Sequence, residues 1–111
     1  MNIQIFGTKK SFDSKKAERW FKERRIKFQF IDLLDKGMSP GEYRSVRAKV
    51  GYDALVDIKC SAYDELDMAY LSSAEAEATL LAYPELFNAP VVRNGKEATV
   101  GYRPEIWATW E

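Results

Sequence analysis

Apolar and polar positions change their period several times along the first third of the chain, and each change marks an element. Asn2-Ile3-Gln4-Ile5-Phe6 alternates, the period of a strand with one buried face, and Gly7 closes it. From about Phe12 or Asp13 to Arg25 the period lengthens. Ala17, Trp20, Phe21 and then Ile26 fall on one side of a helix, while Lys15, Lys16, Glu18, Arg19, Lys22, Glu23 and Arg24 face water. Phe28, Phe30 and Leu33, interleaved with Gln29, return to a strand that ends near Asp32. Strand, helix and strand in this order predict a βαβ unit with parallel strands.

The next punctuation is helical. Ser39 before Pro40, with Glu42 three residues on, is a capping box with proline at the first helical position, and this helix should stop before Gly51. Tyr52 to Ser61 reads as a short helix and a loop. Ser72-Ser73-Ala74-Glu75 is a second capping box, opening an Ala- and Leu-rich helix that ends near Tyr83-Pro84. Pro90-Val91-Val92-Arg93 and Glu97-Ala98-Thr99-Val100 flank Asn94-Gly95, a hairpin signal with Asn-Gly as its turn, and Arg103-Pro104-Glu105-Ile106-Trp107 opens a last helix. No repeat, linker or low-complexity tract interrupts the series. The predicted fold class is α/β: a single thioredoxin-like domain over 1–111 with a mixed four-stranded sheet, built as βαβ, a helical insertion at about 36–88, then ββα.

Composition narrows the chemistry. The 111 residues suffice for one core, and 17 basic against 17 acidic residues give no net field to draw in nucleic acid or an anionic membrane. No apolar run approaches the ~20 residues that span a bilayer, and none resembles a signal peptide; with one cysteine, Cys60, a cytoplasmic protein is expected. Histidine is absent, which excludes Ser-His-Asp and Cys-His catalysis. One cysteine without histidine also leaves no ligand set for zinc. No metal or resident cofactor is expected. Asp64-Glu65-Leu66-Asp67 reads as a loop or helix start.

Four stretches, in order and suitably spaced, resemble the arsenate reductase-like (ArsC/Spx) family. They are Ile5-Phe6-Gly7 through Lys15-Lys16-Ala17 and Trp20-Phe21, Gly37-Met38-Ser39-Pro40-Gly41-Glu42, Tyr83-Pro84-Glu85-Leu86-Phe87-Asn88-Ala89-Pro90-Val91-Val92, and Val100-Gly101-Tyr102-Arg103-Pro104-Glu105. The resemblance implies a thioredoxin fold with Pro90 as a cis-proline against the active-site loop. It also implies what this chain lacks. Ser11 stands where the family's enzymes carry the nucleophilic cysteine, and Ser14 where redox members of the Spx type carry a second one. Of the three arginines that surround the thiolate in arsenate reductases, Lys59 matches the first and Arg103 the third, while Ala89 replaces the second.

A thiol at a helix N-terminus is ionised by the dipole and free N–H groups; a serine hydroxyl starts far higher and has no histidine to deprotonate it. Ser11 is therefore read first as a capping hydroxyl. What remains is binding, either to another protein or, weakly, to an oxyanion held by Ser11, Lys10, Lys59 and Arg103. Spx-type members bind RNA polymerase, so the resemblance makes a regulatory role conceivable without identifying a partner. The competing reading is an arsenate reductase-like or glutathione-dependent oxidoreductase using Cys60, with Lys59 beside it and glutathione as co-substrate. Against it, free cysteines are commonly buried and inert. Charges of both signs along the first helix read as a solvated face. Trp107 and Tyr102 read as packing the last helix on the sheet, and Trp110 as packing there or anchoring a partner.

Overall fold

A computed structural model describes residues 1–110. Its elements are β1 (Ile3–Gly7), α1 (Phe12–Glu23), β2 (Phe28–Asp32), α2 (Pro40–Val50), α3 (Tyr52–Leu55), α4 (Ser61–Glu65), α5 (Ser73–Ala82), β3 (Val91–Asn94), β4 (Glu97–Val100) and α6 (Pro104–Trp107), with single 3-10 turns at Met68–Tyr70 and Pro84–Leu86. The sheet order is β2-β1-β3-β4. β1 and β2 run parallel, β3 lies antiparallel to β1, and β4 antiparallel to β3. This is the mixed four-stranded sheet of a thioredoxin-like fold.

Period-two alternation divides the core between the two faces. Ile3, Ile5 and Val92 point towards α1 and α6, where they pack with Ala17, Trp20, Phe21 and Trp107. Phe6, Ile31, Val91 and Ala98 point the other way, under the insertion, against Met38, Tyr43, Val46, Leu55, Leu80 and Leu86. Trp107 is 1% exposed, and its Nε1–H donates to Thr99 Oγ1 at 2.8 Å, so the indole's one polar atom is satisfied inside the core. On the insertion side, Glu77 of α5 accepts from Tyr43 Oη at 2.6 Å and from Arg47 of α2, pinning these helices together. Burial and the neighbouring carboxylate push the Tyr43 phenol well above its usual range, so it stays a donor. The Arg47 and Tyr43 hydrogen bonds hold Glu77 below the usual carboxylate range.

Both capping boxes form as predicted, at Ser39 with Glu42 and Ser72 with Glu75. Three boundaries differ from the sequence reading. α1 ends at Glu23, not Arg25, because Arg25 turns left-handed at φ 57°. Its N–H then bonds Lys22 O at 3.1 Å and the Ile26 N–H bonds Phe21 O at 3.0 Å. This is a Schellman stop, built on an arginine where glycine usually stands. The hairpin pairs Asn94 with Glu97, so its two turn residues are Gly95 and Lys96, not Asn94 and Gly95. Gly95 at φ 60° supplies the positive φ such a turn needs at its first position. Finally, Ser61–Glu65 is a helix, so Asp64 and Glu65 end an element.

Candidate functional site

The loop from Thr8 to Ser11 joins the end of β1 to α1 and is closed by its own hydrogen bonds. Ser11 N–H donates to Thr8 O at 3.3 Å, and Lys15 N–H to Ser11 O at 3.2 Å. Ser11 caps α1: its backbone is extended and its Oγ accepts from Ser14 N–H at 3.1 Å. Such caps contribute about 1 kcal/mol. The Ser11 hydroxyl is thus already engaged in holding the helix.

Ser14 does not face the same space. It is fully buried, and its Oγ accepts from Thr8 N–H at 3.2 Å. It lies so close to Gly7 that a Cβ there would meet Ser14 Oγ at 2.6 Å. The expectation that Ser14 belongs to an open degenerate site is therefore corrected. Helical periodicity puts position 14 on the same face as Ala17 and Phe21, which is the face β1 covers.

Ser11 lines a cavity of about 310 Å³ with Thr8, Leu34, Asp57, Phe87, Asn88 and Ala89, and Glu85 completes the wall. The far wall is stitched together by backbone. Asp57 N–H donates to Leu86 O at 2.7 Å and Asn88 N–H to Leu55 O at 2.8 Å. The Asn88 side-chain amide donates to Ala54 O at 3.0 Å and Val56 O at 3.1 Å. The Ala89–Pro90 peptide that follows is cis, as the resemblance implies, and Ala89 faces the cavity that Ser11 lines.

The predicted cations are not in this wall. Lys10 is exposed on the loop. Lys59 is exposed too, and its N–H donates to Asp57 Oδ1 at 3.0 Å. Arg103 donates from Nε to Val100 O at 3.2 Å and lines a separate hollow with Val50 and Ile106. Cys60 also lies outside the wall. It is half-buried, and its Sγ lies 3.1 Å from Asp57 O, to which the thiol donates. Among the described residues no group of three or more Cys, Asp or Glu side chains is placed to hold a metal ion.

The sequence reading overlooked Asp57 and Glu85, the two carboxylates of the cavity. Glu85 lies in a stretch that carries the family resemblance, and Asp57 lies three residues before Cys60. Their acidity was the available signal.

A mixed four-stranded sheet, a βα loop capped by Ser11 and a cis-proline segment across from it define a thioredoxin-like domain. The ArsC family model matches residues 6–110, and the chain belongs to that family. Among solved structures it is similar to the YffB protein, at 26% identity over 96% of each chain with a TM-score of 0.82. It is also similar in fold to an arsenate reductase from Vibrio cholerae, at 24% identity over 96% of this chain and 94% of that one, with a TM-score of 0.84. A curated relative, an uncharacterized protein of Haemophilus influenzae, is 23% identical over 103 residues, covering 90% of each chain. Among the described residues no helix is long and apolar enough to cross a membrane.

Proposed function

We propose that this ArsC-family domain acts by binding another protein, in the cytoplasm, and has lost the thiol chemistry of the family's reductases. The observation that carries this reading is Ser11 itself. The loop and its helix cap are kept, while the position that needs an ionised sulfur holds a hydroxyl. Serine cannot exchange with a disulfide, and nothing in this chain is an imidazole that would make it a nucleophile. Asp57 and Glu85, the charged groups in the cavity wall, disfavour an oxyanion there and so favour the protein-binding branch of the expectation.

A second reading, an oxidoreductase working through Cys60, draws on one observation. The thiol is not fully buried, and the residue whose carbonyl it touches lines the cavity. That same hydrogen bond already engages the thiol with a backbone carbonyl. Intact-mass spectrometry after incubation with oxidised glutathione separates the two readings. The binding role predicts slow modification of Cys60 and no faster release of the adduct by reduced glutathione than from a model peptide. Rapid formation and rapid discharge of a Cys60–glutathione disulfide would overturn it.

A further inference from the structure

We propose that the outer edge of β2 takes an extended, acidic segment of the partner protein as a further strand of the sheet. This gives the binding role above a surface and a partner chemistry, and rests on it.

The backbone is the first argument. β2 ends the sheet, with β1 as its strand neighbour and nothing paired on its other side among the described residues. Leu33 N–H donates to Gly7 O at 2.9 Å, just beyond the parallel pairing of β1 with β2. Peptide groups alternate sides along a strand, so Ile31 and Gln29 also turn their N–H and C=O to β1, and Phe28 and Phe30 turn theirs away. Among the described residues no hydrogen bond reaches those outward groups. Asp32, the next outward residue, closes the run, because its carbonyl accepts from the Asp35 N–H at 3.1 Å and the Lys36 N–H at 2.9 Å. The free edge thus runs over Phe28 and Phe30. An edge of this kind pairs with an extended peptide through main-chain bonds, while alternate side chains give the specificity.

Charge names the occupant. Two hollows lie between this edge and the α1 side of the sheet. One is lined by Phe28 with Lys22, Arg25, Ile26 and Lys27, the other by Phe30 with Thr8, Lys9, Lys15 and Glu18. Lys15, Glu18 and Lys22, spaced three and four apart, form one stripe of α1. Five cations and one carboxylate therefore line the two hollows, and the two ion pairs among the described residues, Arg47–Glu77 and Lys49–Glu97, use none of them. Phe28 and Phe30 pack half-buried on the core beneath α1, so they floor the hollows and leave selection to the charges. Side chains on one face of an extended segment recur every second residue, the spacing of Phe28 and Phe30, so acidic residues at alternate positions each reach one hollow. A second copy of this chain is a poorer match. Antiparallel pairing of β2 with itself, Phe28 opposite Phe30, would bring each Lys22, Arg25 and Lys27 cluster beside the copy's Lys9 and Lys15.

The test is amide-resolved hydrogen exchange of the isotope-labelled chain with three probes: the capped peptide Thr-Glu-Val-Glu-Thr, its Thr-Lys-Val-Lys-Thr counterpart, and a single-stranded oligothymidylate. At about ten times its Kd the Glu peptide is expected to slow exchange at Phe28 and Phe30 about tenfold, and to leave Gln29 and Ile31, already bonded to β1, nearly unchanged. The Lys peptide should bind at least about tenfold more weakly. Lys22→Gln with Lys27→Gln should cost the Glu peptide about tenfold in affinity at low salt. Both side chains are exposed, and the spectrum itself reports whether the variant is folded. Resonance shifts without the alternating protection, equal binding of the two peptides, tighter binding of the oligothymidylate, or no response to the Glu peptide at about 10 mM would each overturn the proposal. So would protection of Phe28 and Phe30 that grows with protein concentration alone, which would give the edge to a second copy. The glutathione experiment above decides the binding role separately. A chain inert there that fails this titration loses only the strand-edge site, whereas rapid cycling at Cys60 removes the role the edge was assigned to.

Discussion

Replacing Gly7 by alanine tests the packing beneath the loop, and with it the assignment of Ser14 as a structural residue. Gly7 ends β1 with ordinary strand geometry, so its need for glycine comes from space alone. An added Cβ would lie 2.6 Å from Ser14 Oγ, 2.9 Å from Ser14 Cβ and 3.2 Å from Phe30 Cε2. Neither side yields easily. Gly7 is registered against Asp32 and accepts from Leu33 N–H at 2.9 Å, while Ser14 is fixed in the first turn of α1. Overpacking of this kind costs about 1–3 kcal/mol, and the reduced freedom of the unfolded chain returns about 0.4–1 kcal/mol. A net loss of about 1–2 kcal/mol, or roughly 4–8 °C in Tm for a domain this size, is the expected result. Urea unfolding followed by tryptophan fluorescence measures it. Ser14→Ala in wild type removes the acceptor for the Thr8 amide and should cost about 1 kcal/mol. In the Gly7→Ala background the same change removes the 2.6 Å clash and should be stabilising or neutral. Additive effects, or a Gly7→Ala midpoint equal to wild type, would refute the reasoning.

Thr99→Val strands the Trp107 indole N–H in the core and should destabilise by about 1–3 kcal/mol, while Thr99→Ser should recover most of it; thermal melts distinguish them. Glu77→Gln should lower stability at neutral pH. Because the folded-state pKa of Glu77 is held down, its contribution is present above the unfolded carboxylate pKa and lost as pH falls through the folded value, so the gap between variant and wild type should close in acid. A gap that stays constant in melts across that range would count against the Arg47–Glu77–Tyr43 linkage. Cys60 should alkylate with iodoacetamide no faster than a free thiol control at the same pH, since its thiol donates to the Asp57 carbonyl.

What could be read from the sequence followed from local rules with one dominant outcome. The two capping boxes, the alternation in β1 and the spacing of Ala17, Trp20 and Phe21 each specify their element without outside help. The stop at Arg25 was not legible, because a Schellman turn normally announces itself with glycine and here leans on the Ile26 N–H reaching back to Phe21. The turn at Gly95-Lys96 slipped by one residue because Asn-Gly is the commoner hairpin signal, whereas the pairing of Asn94 with Glu97 sets the register. At the site, Ser11 and Pro90 were legible through the family resemblance, and Ser11 lines the cavity that Ala89, just before cis-Pro90, also faces. The acidic wall was not. Asp57 and Glu85 come from segments far apart in sequence, joined by the backbone bonds between residues 55–57 and 86–88 and by the Asn88 side-chain amide.

The most direct test of lost thiol catalysis is a steady-state arsenate reduction assay coupled to glutathione, glutaredoxin and NADPH, run on wild type and Cys60→Ser. The account predicts NADPH consumption at the protein-free background for both. Turnover above background that disappears with Cys60→Ser would contradict it.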